Sequence, residues 1–149
     1  ASQTAHPVVA VIGRKRGTDE LRPVSPEHPE IEPVPGLLMV RPMGRLFFVN
    51  AQSVQDQIAA LVTQYQPRVL AVDLSRVTDI EYSALMGLME AEQRATGRGA
   101  VVWLAGLNPS VRELVRHAGL DQRLGPDRLL FNAQAVVEHF QALKASPGA

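Results

Sequence analysis

Val69-Leu-Ala-Val-Asp-Leu-Ser-Arg-Val-Thr-Asp-Ile-Glu-Tyr-Ser-Ala-Leu85 is the stretch from which the architecture can be read. It opens with a continuous apolar run, Val69 to Val72, as a strand covered on both faces requires. It then crosses a polar turn and enters a run from Tyr82 to about Thr96, where Leu85, Leu88 and Met89 recur at helical spacing. Gly97 and Gly99 supply the left-handed stop. A buried strand feeding a helix through a short turn is the repeating unit of an α/β domain.

The pattern continues on both sides. Downstream, Ala100-Val-Val-Trp-Leu104 is a second buried strand, and Asn108-Pro109 places a capping side chain before a proline at the first helical position. Val111, Leu114 and Val115 form that helix's inner face, and Gly119 closes it. Arg128-Leu-Leu-Phe131 reads as a last strand. Asn132 caps a final helix that keeps Val136, Val137, Phe140 and Leu143 on one side. Upstream, Ser53-Val-Gln-Asp56 resembles a capping box, followed by Val54, Ile58, Leu61, Val62 and Tyr65 on one face until Pro67. Before it, Leu37-Leu-Met-Val-Arg41 and Leu46-Phe-Phe-Val49 flank Pro42-Met-Gly-Arg45, which predicts an antiparallel hairpin. Val8-Val-Ala-Val-Ile12 is a first strand. Five prolines (Pro23, Pro26, Pro29, Pro33 and Pro35) predict a long extended loop over 13–35.

The expected fold is therefore a single α/β domain over 1–149, a sheet flanked by helices, with its core in 7–143. The small residues at 1–7 and 145–149 read as frayed ends. The chain is 46% hydrophobic and 20% charged, in the range of a globular domain. It contains no cysteine, which excludes thiol nucleophiles, Cys-ligated zinc and disulfides. Fifteen basic and fifteen acidic residues cancel, which argues against nucleic acid as a partner. No apolar run reaches the ~20 residues of a bilayer span, and no charged stretch followed by an apolar one suggests a leader. The opening Ala1-Ser2 is expected of a piece of a longer protein.

Chemistry is expected at the turn, because ligands of open α/β sheets gather beyond the carboxyl ends of the strands. Asp73, Ser75, Thr78, Asp79, Glu81, Tyr82 and Ser83 stand there. One reading is local: acids near a helix start favour its dipole, and Asp73 or Ser75 stabilises the turn. The other is a switch, in which phosphate on a hydroxyl brings nearly two negative charges to a docking surface. A third use, acid–base catalysis, needs the acids to converge with shifted pKa values.

The same segment resembles the signature of STAS domains: a strand ending in Asp, then an acid–hydroxyl–small–Leu helix start. Pro7-Val-Val-Ala-Val-Ile-Gly-Arg14, Gly17-Thr-Asp19 and Pro35-Gly-Leu-Leu38 resemble the start of the cytosolic tail of SulP anion transporters. Leu46-Phe-Phe-Val-Asn-Ala51 matches that tail's second hairpin strand, and Trp103-Leu-Ala-Gly-Leu-Asn-Pro109 is similar to bacterial members. The resemblance implies a non-catalytic domain on the cytoplasmic side of the inner (plasma) membrane. Its implied partners are the transporter's own transmembrane domain, a second copy in a homodimer, and a nucleotide or regulatory protein. No cofactor is implied beyond weak nucleotide binding. The related antagonists of anti-sigma factors carry Asp-Ser-Ser-Gly where this chain has Glu81-Tyr82-Ser83-Ala84, so their switch serine is a tyrosine here and Ser83 is the remaining candidate for phosphorylation.

Two other features are weighed. His6, His28, His117 and His139 are scattered without ligand spacing, so no metal is expected. Arg14-Lys-Arg16 reads as solvated surface or, under a bilayer, as a membrane-facing basic loop gaining about 1 kcal/mol per charge. Gly-x-x-x-x-Gly-Lys-Ser/Thr, Gly-x-Gly-x-x-Gly and Gly-x-Ser-x-Gly motifs are absent from the sequence.

Overall fold

A computed structural model describes residues 8–145; the frayed ends inferred from sequence, and His6, lie outside the described residues apart from Ala145. The central sheet is built from β1 (Val9–Lys15), β2 (Leu21–Pro23), β3 (Ile31–Glu32), β4 (Leu37–Pro42), β6 (Val69–Asp73), β8 (Val101–Ala105) and β9 (Leu129–Leu130). Its order is β2-β1-β4-β6-β8-β9, with β3 also on β1. β4, β6, β8 and β9 run parallel, and β1 is antiparallel to β4. A small parallel pair, β5 (Gly44–Leu46) and β7 (Val77–Ile80), stands apart from it. The helices are α1 (Phe48–Tyr65), α2 (Tyr82–Gly97), α3 (Pro109–His117), α4 (Leu120–Leu124) and α5 (Ala133–Ala145).

Side-chain alternation along the strands sorts the core into two layers. Leu38, Val40, Leu70, Val72, Val102 and Leu104 pack with Val54, Ile58 and Val62 of α1, Leu85 of α2 and Val111 and Val115 of α3. The intervening residues, Leu37, Met39, Val69, Ala71, Trp103 and Ala105, face Val136, Val137 and Phe140 of α5. Each of those α5 side chains contributes roughly 1.5–3 kcal/mol by burial. Leu143, expected on that inner face, is 43% exposed in the last turn. The sheet flanked by helices is thus the observed architecture, and the two-sided burial explains why β4, β6 and β8 read as unbroken apolar runs.

Three expectations change. The expected hairpin is not formed: β4 has β1 on one edge and β6 on the other, so no edge is left for β5. Gly44, at φ +94°, turns the chain away, and β5 pairs with β7 instead. Phe48 and Val49, expected in a strand, begin α1, which therefore starts before Ser53. The buried Asn50 sets this start by accepting from the Phe47 N–H (2.9 Å) and donating to the Arg45 carbonyl (2.8 Å).

The third change is in 13–35, which is a β annex rather than a loop. β1 runs on through Gly13 to Lys15, pairing antiparallel with β2 and, at its last two residues, with β3. The prolines are accommodated because Pro23 ends an edge strand and Pro26 and Pro29 sit in turns. A Cβ at Gly13 would lie 2.6 Å from the Glu32 carbonyl oxygen, so only glycine lets β3 close on β1. In the intervening turns, backbone amides hold the Glu27 and Glu30 carboxyls below the usual range.

Candidate functional site

β6 ends on Asp73, which is fully buried. The parallel register sets Val40 beside Val72, bringing Arg41 of β4 alongside Asp73. Arg41 Nε donates to Asp73 Oδ2 at 2.7 Å, and the Ser75 N–H donates to Oδ1 at 3.0 Å. Both oxygens of the buried carboxylate are engaged, as a charge inside a protein requires. Asp73 is accordingly an internal strut of the turn, not one of its accessible groups.

The turn itself is at the surface. Leu74, Val77 and Ile80 anchor it inward, while Ser75, Thr78 and Asp79 are exposed. Asp79 lies 3.3 Å from Arg45 of β5 across solvent. Thr78 and Asp79, expected in a loop, belong to β7. The Glu81 N–H donates to the Leu46 carbonyl (2.8 Å), fixing where α2 begins. Tyr82 and Ser83 then occupy its first turn, both exposed, with Tyr82 at 58%.

Asn108 ties this turn to α3. Its Oδ1 accepts from the Val111 N–H, and its Nδ2 donates to the carbonyls of Val77 and Thr78. Asn108→Ala is therefore expected to cost about 1–2 kcal/mol, the upper part of the range for a cap, read as a lower urea midpoint. A loss under about 0.5 kcal/mol would show that neither bond set matters.

The acids do not converge. Asp73 is interior against Arg41, whereas Asp79 and Glu81 are on the outside. Large apolar side chains do gather at this end of the sheet. Val8 adjoins Met43, whose N–H donates to the Val8 carbonyl, Val49 is in the first turn of α1, Tyr82 in that of α2, and Phe131 follows β9. All five are exposed, and Leu143 is the only other large hydrophobic so exposed among the described residues.

The basic triplet lies at the opposite end, since β1 runs against β4. Arg14 and Lys15 are strand residues and not part of a loop. Arg16 pairs closely with Glu32, Lys15 lies 3.9 Å from Glu20, and Arg14 reaches the Gln141 side-chain amide on α5. A row of unpaired loop cations is thus not present there. His28, His117 and His139 are likewise separate: the first two lie 3.5 Å from Glu30 and Glu113, and the third against Trp103.

Arg41, Arg45 and Asn108 carry the geometry of the turn, and the sequence alone marks only Asn108, as a helix cap. Arg41 had one signal, a cation closing an otherwise apolar run.

The STAS domain family model matches residues 28–135. The high affinity sulfate transporter 2 of Stylosanthes hamata is 26% identical over 145 residues, covering 91% of this chain and 22% of that protein. The chain thus spans about a fifth to a quarter of the length of the curated relatives it matches. Among solved structures, the murine solute carrier 26 family member A9 anion transporter superposes with a TM-score of 0.77 at 16% identity, over 93% of this chain and 23% of that one. The SulP transporter STAS domain from Vibrio cholerae gives 0.64 at 21%, over 80% and 93%. An anti-sigma factor antagonist from Mycobacterium paratuberculosis gives 0.65 at 19%, over 97% and 99%. At these identities the structures establish the shared fold.

Proposed function

The chain belongs to the STAS domain family, and from that premise we propose that it is the cytoplasmic, non-catalytic regulatory domain of a SulP-type anion transporter. The observation that carries the reading is the segregation of exposed Val8, Met43, Val49 and Tyr82 around the hydroxyl-bearing turn. Apolar side chains collected at one end of a sheet mark a docking surface better than the same residues scattered singly.

The similarity to sulfate transporters several times longer supports this assignment. Among the described residues no helix is long and apolar enough to cross a membrane; in this reading the spans lie in the remainder of the protein. The separate engagement of Asp73 with Arg41 and of Asp79 with Arg45 supports a docking role over acid–base chemistry. Homodimeric assembly and weak nucleotide binding belong to the same proposal.

The reading frame upstream of Ala1 tests it directly, and is expected to encode a series of apolar stretches of about 20 residues each. A frame without them overturns the assignment. In the full-length protein, Tyr82→Ser is expected to change the transport rate roughly fivefold or more, with the protein still reaching the membrane. An unchanged rate would remove the docking role of this turn.

The whole-length likeness to an anti-sigma factor antagonist favours a second reading, a regulator switched by phosphorylation. Ser83 stands in the first turn of α2, where the helix amides and dipole favour a phosphate. Incubation with candidate kinases followed by intact mass measurement decides it: no mass gain on Ser83 or Tyr82 defeats this reading and leaves the first untouched.

A further inference from the structure

α4 (Leu120–Leu124) stands between two glycines in the left-handed half of φ space, Gly119 at +78° and Gly125 at +82°. Beyond the chain neighbours, nothing lies within 4 Å of where a Cβ would stand on either, so neither is wedged in place. The chain on each side is fixed: Val111 and Val115 bury α3, and β9 is paired with β8. α4 is held differently. Among the described residues its only hydrogen bond to another element comes from a side chain, Arg123 Nε donating to Glu92 Oε1 on α2. Glu92 is buried, and the Thr96 hydroxyl lies 2.9 Å from its other oxygen, whereas the Arg123 side chain is 40% exposed. Leu120 and Leu124 do turn into the core, but the packing beneath them is incomplete. A cavity of about 30 Å³ is lined there by Leu70, Val102, Leu104, Leu120, Leu124 and, as its one charged residue, Glu92. Leucines that face a void forfeit part of the contact a filled core gives them.

We propose that α4 is a hinged latch: when the Arg123–Glu92 pair breaks, it swings out on Gly119 and Gly125 as a unit and bares the core at Val102 and Leu104, while the sheet and the other helices stay in place. Each feature has its part. The glycines absorb the backbone rotation at the two ends of the moving segment. The cavity leaves fewer contacts to break. The ion pair sets how often the latch opens, because the half-exposed guanidinium can pass into water but the buried carboxylate cannot follow it. A segment held in this way opens far more often than the whole domain unfolds. The apolar recess behind it is a surface that the closed form hides. The device does not rest on the docking reading, since the turn and its apolar surround contribute no residue to it.

The chain has no cysteine, so one substitution supplies a single thiol. Val102→Cys places it on the cavity wall, and Val40→Cys places it in the same core layer away from the cavity. Both positions are buried, so dithiobis(nitrobenzoate) reaches either thiol only through an opening. In native buffer the Val102→Cys thiol is expected to react about tenfold or more faster than the Val40→Cys thiol. Adding Glu92→Gln with Arg123→Met removes the latch without leaving a buried charge. It is expected to speed Val102→Cys by about tenfold further and to leave Val40→Cys within about twofold. A general loss of stability moves both thiols together, so the ratio between them reports on α4 alone. If the double substitution abolishes a cooperative urea transition, Glu92→Gln by itself carries the same comparison. Equal rates for the two thiols would mean that α4 leaves only when the domain unfolds. A ratio indifferent to loss of the pair would mean that Arg123 and Glu92 latch nothing. Either result overturns the proposal.

Discussion

Arg41→Ala is expected to destabilise the domain by about 3–5 kcal/mol, the range for removing one partner of a buried ion pair. The effect comes less from the attraction that is lost than from what remains. Asp73 is completely enclosed, and without Arg41 its carboxylate keeps, among the described residues, only the Ser75 N–H. Domains of this size are stable by about 5–15 kcal/mol, so the variant should unfold at a much lower urea concentration. The pair is also asymmetric. The Arg41 side chain is 16% exposed and can reach water when its partner goes. Asp73→Asn keeps an acceptor for Ser75, and is expected to cost only about 1–3 kcal/mol. Combining Arg41→Met with Asp73→Asn should then be milder than Arg41→Ala, because no charge is left buried. Equal losses from Arg41→Ala and Asp73→Asn would mean that the carboxylate is not the group at risk.

That pair also illustrates what the sequence could and could not disclose. The strand, turn and helix from Val69 to Leu85 were legible because each has a local signal: an unbroken apolar run, then polar residues, then helical spacing. Asn108-Pro109 and Asn132 were legible for the same reason, since a cap acts within three residues of itself, and both accept the amide expected of them. The role of Asp73 was not legible. Its partner is 32 positions away and is brought beside it only by the β4–β6 register. The missing hairpin has the same origin. Two apolar runs around a turn do pair when an edge is free, but both edges of β4 are occupied by strands remote in sequence. Prolines in 13–35 are loop signals locally, whereas at the rim of a sheet they coexist with short strands. At the candidate site, the exposed turn could be located from sequence. Its apolar surround could not, because Val8, Met43, Val49 and Tyr82 come from four separate places in the chain.

Gly106→Ala is the second large effect, about 2–5 kcal/mol, and it acts on the same turn from the other side. Gly106 follows β8 at φ +71°, a conformation that costs an L-residue about 1–2 kcal/mol. Space is lacking as well. An added Cβ would lie 2.8 Å from Asp73 Oδ1, 3.0 Å from Ser75 Cβ and 3.1 Å from the Ser75 amide nitrogen. None of these can yield easily. Arg41 holds the other Asp73 oxygen, the Ser75 amide is bonded to the one in the way, and the Leu74 N–H is bonded to the Ala105 carbonyl. Overpacking of this kind adds roughly 1–3 kcal/mol. Gly119→Ala separates the two terms: φ there is +78°, but nothing lies within 4 Å of an added Cβ, so only the backbone cost applies. The two costs should also couple to the ion pair. With Arg41 replaced, Asp73 can swing away from the new methyl, so Gly106→Ala should cost less in the Arg41→Ala background than in the parent chain. Urea midpoints of the single and double variants give both comparisons. If Gly106→Ala and Gly119→Ala cost the same, or the double variant is strictly additive, the carboxylate is not pinned between Arg41 and Gly106, and the turn that presents Ser75 to Ser83 is held in place by something else.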